Sequence, residues 1–346
     1  MRMNYLCGGG DIHKYDKVKS RKLWGEHPLS PKYSIMIPTY RRPGLLAKSL
    51  ASAINQHDFD NYEIIVVDND SDIKSGINKT LQVVKGFLSE KIIYYKNECN
   101  IGIYGNTLRA AQLSKGKYVV LLNDDDLLHP MYLKVVDAFV EKYDYKGIVG
   151  ARPCEFREDD FVFPQIEDKI FGFRVSKKEF FFGCTVTSPG MMYPKAILND
   201  IYNSHEELLM GDQIIQYKAL EKYGLTFIDF PLAAYRIAEN ATLKDDVLCD
   251  MIFHMCGFRR QTANHDLMLK LFMKIFGDEY CYWYLNSTLY FWKKRSLQRR
   301  IAERLELTGM QRWSLKMLVL NEIIDKVHDR YSKMRKRNSD YVEMRI

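Results

Sequence analysis

Four runs of almost unbroken apolar residues recur early in the chain, and each is followed by a segment with helical spacing. The runs are YSIMIP (33–38), YEIIVVDND (62–70), KIIYYKN (91–97) and KYVVLLNDDD (117–126). Between them stand GLLAKSLASAINQ (44–56), SGINKTLQVVKGFLSE (75–90) and YGNTLRAAQLSK (104–115). In the first of these, Leu45, Leu46, Leu50, Ala53 and Ile54 share one helical side. PMYLKVVDAFVEKY (130–143) follows the last run, with proline at its start, where a missing N–H costs nothing. Strands apolar on both faces must be covered on both faces, so the alternation predicts a mostly parallel sheet flanked by helices. In such sheets ligands bind beyond the carboxyl ends of the strands. The strand ends here are Pro38, Thr39 and Tyr40, then Asp68, Asn69 and Asp70, then Asn97, and finally Asn123 to Asp126.

The pattern becomes mixed after about residue 147. GIVGA (147–151) and LTFIDFPLAAYR (225–236) read as further strands, and EELLMGDQIIQYKALEKYG (206–224) as a helix that Gly224 stops. From about residue 245 the reading is almost entirely helical. The expected organisation is an irregular extension over 1–32, an α/β domain over 33–244 and a helical region over 245–346. No run reaches the length of a membrane span, and the N-terminus turns polar too soon for a signal peptide. The seven cysteines are scattered without a CxxC pair, which argues against a disulfide framework or a zinc site and for a reducing, cytosolic compartment. GGGD (8–11) lacks the GxGxxG pattern and no strand precedes it.

Asp124, Asp125 and Asp126 are adjacent carboxylates at the end of a buried-looking strand. Such charges repel unless they face open solvent or a cation. One aspartate would suffice to cap the helix that follows. Three of them, beside other strand ends rich in aspartate, favour Mg2+ or Mn2+, which take oxygen ligands and leave positions for substrate phosphates.

These residues carry a resemblance. SIMIPTYRR (34–42), IIVVDNDSD (64–72), NIGIYGNTLRAAQLSKGKYVVLLNDDDLLHP (100–130), SPGMMYPKAIL (188–198), GDQIIQYKALEKYG (211–224) and AYRIAENAT (234–242) occur in the order of the motifs of a family 2 glycosyltransferase. The chain from about 33 to 240 resembles that family, whose fold is GT-A: Rossmann-like, with a mostly parallel mixed sheet flanked by helices. A helical C-terminal region follows. The resemblance implies a metal-dependent, inverting transfer of a sugar from a nucleotide-diphosphate donor. The acceptor would be a hydroxyl of a glycan or lipid-linked glycan, in bacterial surface polysaccharide synthesis.

Residue by residue, it places Pro38, Thr39, Tyr40 and Arg42 along the nucleotide, and Asp68 as the acceptor of a hydrogen bond from uracil. That last role favours a UDP-sugar. Asp70, Asn100, Gly102 and Asn106 fall on the donor side. Asn123 would bond a ribose hydroxyl, Asp124 would approach the ribose or sugar, Asp125 would bind the metal, and Asp126 would contact the sugar or support the site. Gly190, Met191 and Gly211 fall on the acceptor side, Asp212 is the candidate general base, and Arg236 would steady the diphosphate. Three positions depart from the family pattern: Asn123 replaces an acid, Ala238 replaces a histidine, and Asp70 replaces a turn glycine. Asn123 and Ala238 keep open a second reading, a catalytically lapsed domain that binds a nucleotide sugar or glycan. A nucleotidyltransferase would show a glycine- and lysine/arginine-rich loop after the first strand, and PTYRRPG (38–44) has too few glycines.

Charge adds one expectation. The chain carries a formal +7, and from Tyr290 onward 15 Lys and Arg stand against 7 Asp and Glu. This basic, aromatic tail suggests peripheral contact with an anionic membrane at the inner face of the cell membrane. The apolar helix stripes fit equally a packed core or a homodimer seam. Nothing resembles a nucleic-acid reading motif.

Overall fold

The structure is a computed structural model, and it describes residues 15–71, 78–144, 146–157, 160–182, 189–203, 211–237, 244–291, 293–307, 314–338 and 340–344. Two compact units emerge. The larger takes in Asp11–Ser176, Thr185–Ile237 and Asn338–Ile346; the other Met1–Gly10, Lys177–Cys184 and Ala238–Arg337.

The larger unit is built on a mixed sheet. Its strands are β1 (Ser20–Trp24), β2 (Tyr33–Thr39), β3 (Tyr62–Asp68), β4 (Ile92–Asn97), β5 (Tyr118–Leu121), β6 (Leu127–Leu128), β7 (Ile148–Phe156), β8 (Lys169–Arg174), β9 (Met191–Pro194), β10 (Leu225–Arg236) and β11 (Asp340–Glu343). Among the described residues the order is β1-β4-β3-β2-β5-β9-β7-β10-β8-β11, with β6 paired to β10. β2, β3, β4 and β5 are parallel. β9 runs against β5 and β7, and β10 runs with β7, so β2 to β5, β7 and β10 all point the same way. The chain moves outward through β2, β3 and β4, then returns to place β5 on the other side of β2. That reversal is a topological switch point, where such sheets open a crevice.

The apolar runs form strands because both their faces are buried. Tyr33, Ile35 and Ile37 of β2 join a core with Leu46, Leu50, Val84, Tyr132 and Phe139. These come from α1 (Pro43–Ile54), α2 (Lys79–Gly86) and α4 (Tyr132–Tyr143). The alternate residues Met36, Ile65, Val67 and Val119 are also buried, and α3 (Gly102–Leu113) packs on β2 and β3. Pro43 opens α1, and the Asn78 side chain accepts the Leu81 N–H to cap α2. After α6 (Lys195–Asn203) and α7 (Gly211–Lys222), Gly224 stops the helix at φ +97°.

Two strands lie where an irregular or helical chain is expected. β1 sits within the N-terminal 32 residues and pairs antiparallel with β4, Ser20 opposite Asn97. β11 follows the last helix and pairs antiparallel with β8, Asp340 opposite Gly172. Both are edge strands rich in polar residues, so no apolar run marks them.

The second unit is helical, as expected from its sequence. It comprises α5 (Lys177–Phe181), α8 (Asp245–Thr262), α9 (Leu267–Phe291), α10 (Gln298–Arg304) and most of α11 (Leu315–Asn338). Its core gathers Phe181, Leu248, Ile252, Tyr280, Leu285, Ile301, Leu320 and Ile324. Arg259 is buried there: its Nε donates to Phe181 O at 3.2 Å, and its guanidinium lies 4.2 Å from the Tyr284 ring centroid.

Candidate functional site

The ends of β2 and β5 flank the switch point. Pairing of β2 with β5 reaches Met36 and Leu121, and the Leu122 N–H still bonds Met36 O at 3.1 Å. Pro38 offers no donor to continue that ladder. The chain after Leu122 therefore leaves the sheet as a turn, closed by Asp126 N–H to Asn123 O at 3.2 Å.

The turn aims its three carboxylates differently. Asp124 is buried, its Oδ2 accepting Thr39 Oγ1–H at 2.7 Å and its Oδ1 accepting Arg42 Nη2. Burial pushes its pKa up to about 6 against the pull of Arg42. Asp126 is also buried; its oxygens accept the Arg236 N–H at 2.9 Å and Asn123 Nδ2 at 2.7 Å. Burial holds its pKa well above the usual carboxylate range. The Asp125 side chain keeps 12% of its exposure, and its Oδ2 accepts Arg42 Nη1 at 2.7 Å.

Arg42 thus bridges two aspartates, which together hold its pKa above the ordinary arginine value despite partial burial. Arg41, just before it, adopts a left-handed φ of +56°, a strained setting that turns the chain back toward the aspartates. The Arg41 side chain bonds Asp70 Oδ1 at 3.0 Å and lies over the exposed Tyr40 ring. Arg236 closes the other side: its Nε donates to Asp125 O at 3.0 Å, and its guanidinium lies 4.3 Å from the Phe156 ring centroid.

At the end of β3, Asp68 is buried, accepting Tyr94 O–H at 2.7 Å and the Asp70 N–H at 2.9 Å. Burial raises its pKa above 3.8. A carboxylate raised in the fold adds stability below its unfolded value, and that contribution is lost as pH rises through the folded value. Lowering the pH from about 7 to about 4, close to the ordinary value of 3.8, is therefore expected to raise the melting temperature of the wild type relative to Asp68→Asn. Parallel melting curves for the two proteins across that range would refute this burial effect.

An asparagine network fixes the remaining strand ends. The Asn69 amide accepts from Asn97 Nδ2 and the Ile101 N–H, both at 3.0 Å, and donates to Asn100 Oδ1 at 2.8 Å and Gly102 O at 3.1 Å. Asn97 also donates to Asn106, and Asn106 donates to Val67 O. Gly102 takes φ +76°, a conformation that suits glycine. The network ties the start of α3 to β3 and β4 and makes Asn106 a buried scaffold residue. Asn69 and Asn97 are its hub, and the strand-end rule was the only sequence signal for them.

Gly190 and Met191 come to the same end of the sheet, at the start of the reversed strand β9. Gly190 has φ +74°, and a Cβ there would sit 2.8 Å from Ala233 Cβ. Its carbonyl accepts Tyr132 O–H at 2.8 Å, so packing alone accounts for a glycine. Met191 is buried opposite Leu121. Gly211 and Asp212 open α7, which packs on β7 and β10 and joins β10 through the turn at Gly224. Helix and strand therefore run in opposite directions, and the start of α7 lies at the same end of the sheet as Arg236. The Asp212 side chain and Ala238 lie outside the described residues.

Of the three aspartates, Asp125 keeps the most exposure and is the one that could hold a divalent cation. Asp124 and Asp126 already spend both oxygens on protein donors. Among the described residues no group of three or more His, Cys, Asp or Glu could hold a metal ion, so such an ion would draw further ligands from a bound diphosphate.

Residues 34–202 match the family described as Glycosyl transferase family 2. An uncharacterized glycosyltransferase of Methanocaldococcus jannaschii is 26% identical over 211 residues, which are 60% of this chain and 71% of that protein. A GalNAc(5)-diNAcBac-PP-undecaprenol beta-1,3-glucosyltransferase of Campylobacter jejuni is 38% identical over 103 residues, 28% of this chain and only 31% of that one. Among solved structures, Staphylococcus aureus TarS in complex with UDP-GlcNAc superposes with a TM-score of 0.54 at 20% identity, over 83% of this chain and 78% of that one. The mannosyltransferase PcManGT of Pyrobaculum calidifontis, in complex with GDP-Man and Mn2+, gives 0.51 at 14% identity, over 94% and 89%. At these identities the solved structures show the fold alone, which is the expected GT-A architecture.

Proposed function

With residues 34–202 belonging to glycosyl transferase family 2, we propose that the chain transfers a sugar, with inversion, from a UDP-sugar to a hydroxyl of a glycan or lipid-linked glycan in bacterial surface polysaccharide synthesis. The observation that carries this reading is the switch-point constellation, in which Thr39, Arg42, Asp124, Asp125 and Arg236 are held together beyond the ends of β2, β5 and β10. Mg2+ or Mn2+ at Asp125 would neutralise charge on the departing nucleoside diphosphate. Arg42 and Arg236 would add fixed positive charge to the same diphosphate. Thr39 and Asp68 would line the nucleoside, with Pro38, Tyr40 and Asp70 beside them. Asp124 and Asp126 would set the shape of the turn. Asp212 would take the proton of the attacking hydroxyl, with Gly190, Met191 and Gly211 on the acceptor side.

The reading is tested by thermal shift with UDP, GDP and dTDP in the presence of Mn2+. UDP is expected to stabilise the protein most, by about 2.7 kcal/mol at a hundredfold excess over its Kd. No shift with any of the three would sink the donor reading. A larger shift with GDP would move the base preference away from Asp68.

A further inference from the structure

The second unit leaves an apolar helix face uncovered. In its first turns α9 buries Leu269, on the side that Tyr280 continues, and the opposite side there carries Leu267 (82% exposed), Met268, Leu271 and Ile275. Leu267, Leu271 and Ile275 recur every four residues and so form one row. The first turns of α11 repeat the arrangement: Met317 and Leu320 face the core, while Leu315 (77% exposed), Leu318 and Val319 face outward. Lys316 joins the two helices, its Nζ 3.4 Å from Ile275 O and 3.4 Å from Glu279 Oε1. The two exposed rows are therefore neighbours. Uncovered apolar surface of this kind marks a contact site.

Charge identifies the occupant. Lys270 and Lys274 stand exposed on the outer side of α9, and among the described residues neither has an ion-pair partner. Four of the six basic residues in the run that follows, 293–304, are already paired with acids. Lys294 pairs with Asp245 at 3.2 Å, Arg300 with Asp246, Arg304 with Asp250, and Arg299 with Glu303 at 3.0 Å. A second copy of the chain across a two-fold axis would set Lys270 and Lys274 near their own counterparts, which repel. An acidic lipid surface takes both the lysines and the apolar side chains.

We infer that the face made by Leu267, Leu271 and Ile275 with Leu315, Lys270 and Lys274 docks on an anionic lipid bilayer. The basic run at 293–304 does not. This goes beyond the transfer reaction and does not depend on it.

The test is co-sedimentation of the full chain with vesicles of phosphatidylcholine, with and without phosphatidylglycerol. Binding to the anionic vesicles is expected, and it weakens with salt. Leu267→Ser with Leu271→Ser, and separately Lys270→Glu with Lys274→Glu, should each lower the bound fraction about tenfold, while Arg299→Ala keeps it within about twofold. All five positions face solvent, and unchanged melting temperatures would confirm that the variants fold. Absence of binding overturns the inference. So does binding lost in Arg299→Ala but kept in the α9 variants, or a concentration-dependent dimer that the α9 variants abolish without any vesicle binding. The UDP shift measured on the same preparations reports the donor reading separately.

Discussion

Asp125→Asn is expected to lower sugar transfer about a thousandfold, the equivalent of about 4 kcal/mol of transition-state stabilisation. The same change should leave the protein at least as stable. Its carboxylate raises the pKa of both Asp124 and Asp126, so at neutral pH it works against two buried neighbours. Asparagine removes that repulsion, keeps the volume and leaves Arg42 on Asp124. A carboxylate that repels two buried neighbours and touches the open end of the sheet has the profile of a functional group. The measurements are turnover, melting temperature without nucleotide, and the shift given by UDP with Mn2+. Loss of turnover and of the Mn2+-dependent shift, with an equal or higher melting temperature, supports the role. Wild-type turnover would remove Asp125 from the site.

The three aspartates show how far sequence reaches. Their adjacency marks an electrostatic problem, but not its solution. Asp124 is answered by Thr39 and Arg42, which are 85 and 82 residues away, and Asp126 by the Arg236 backbone 110 residues on. Local pattern carries no trace of such pairings. The departures from the family pattern become structural facts in the same way. Asn123 donates to Asp126, and Asp70 pairs with Arg41 across the turn where a glycine would be expected.

The fold divides along the same line. β2, β3, β4 and β5 were legible because a strand buried on both faces must be written as a continuous apolar run. β10 was legible for its whole length, Leu225 to Arg236. β1 and β11 were not, because an edge strand needs one partner and no continuous apolar face. SRKLW and DYVE acquire their register only from β4 and β8. The basic tail shows the converse: composition counts its charges but not their partners, and acids of α8 and of α10 itself pair with Lys294, Arg299, Arg300 and Arg304.

Asp212→Asn is expected to lower kcat by about a hundredfold to ten-thousandfold, the range of a positioned general base. The backbone supplies the reason to look there. Gly211 and Asp212 open α7, and the turn at Gly224 folds that helix back along β10, so its start is directed toward the end of the sheet that carries Arg236. Asparagine matches aspartate in size and cannot take a proton. Its effect should therefore fall on the step in which the acceptor hydroxyl attacks, and not on the nucleotide. Donor KM and the UDP–Mn2+ shift are expected to stay at wild-type values, which separates this variant from Asp125→Asn, where the shift is lost. A fall in kcat together with loss of the UDP shift would place Asp212 on the donor instead. An unchanged kcat would mean that another group at this end of the sheet removes the proton.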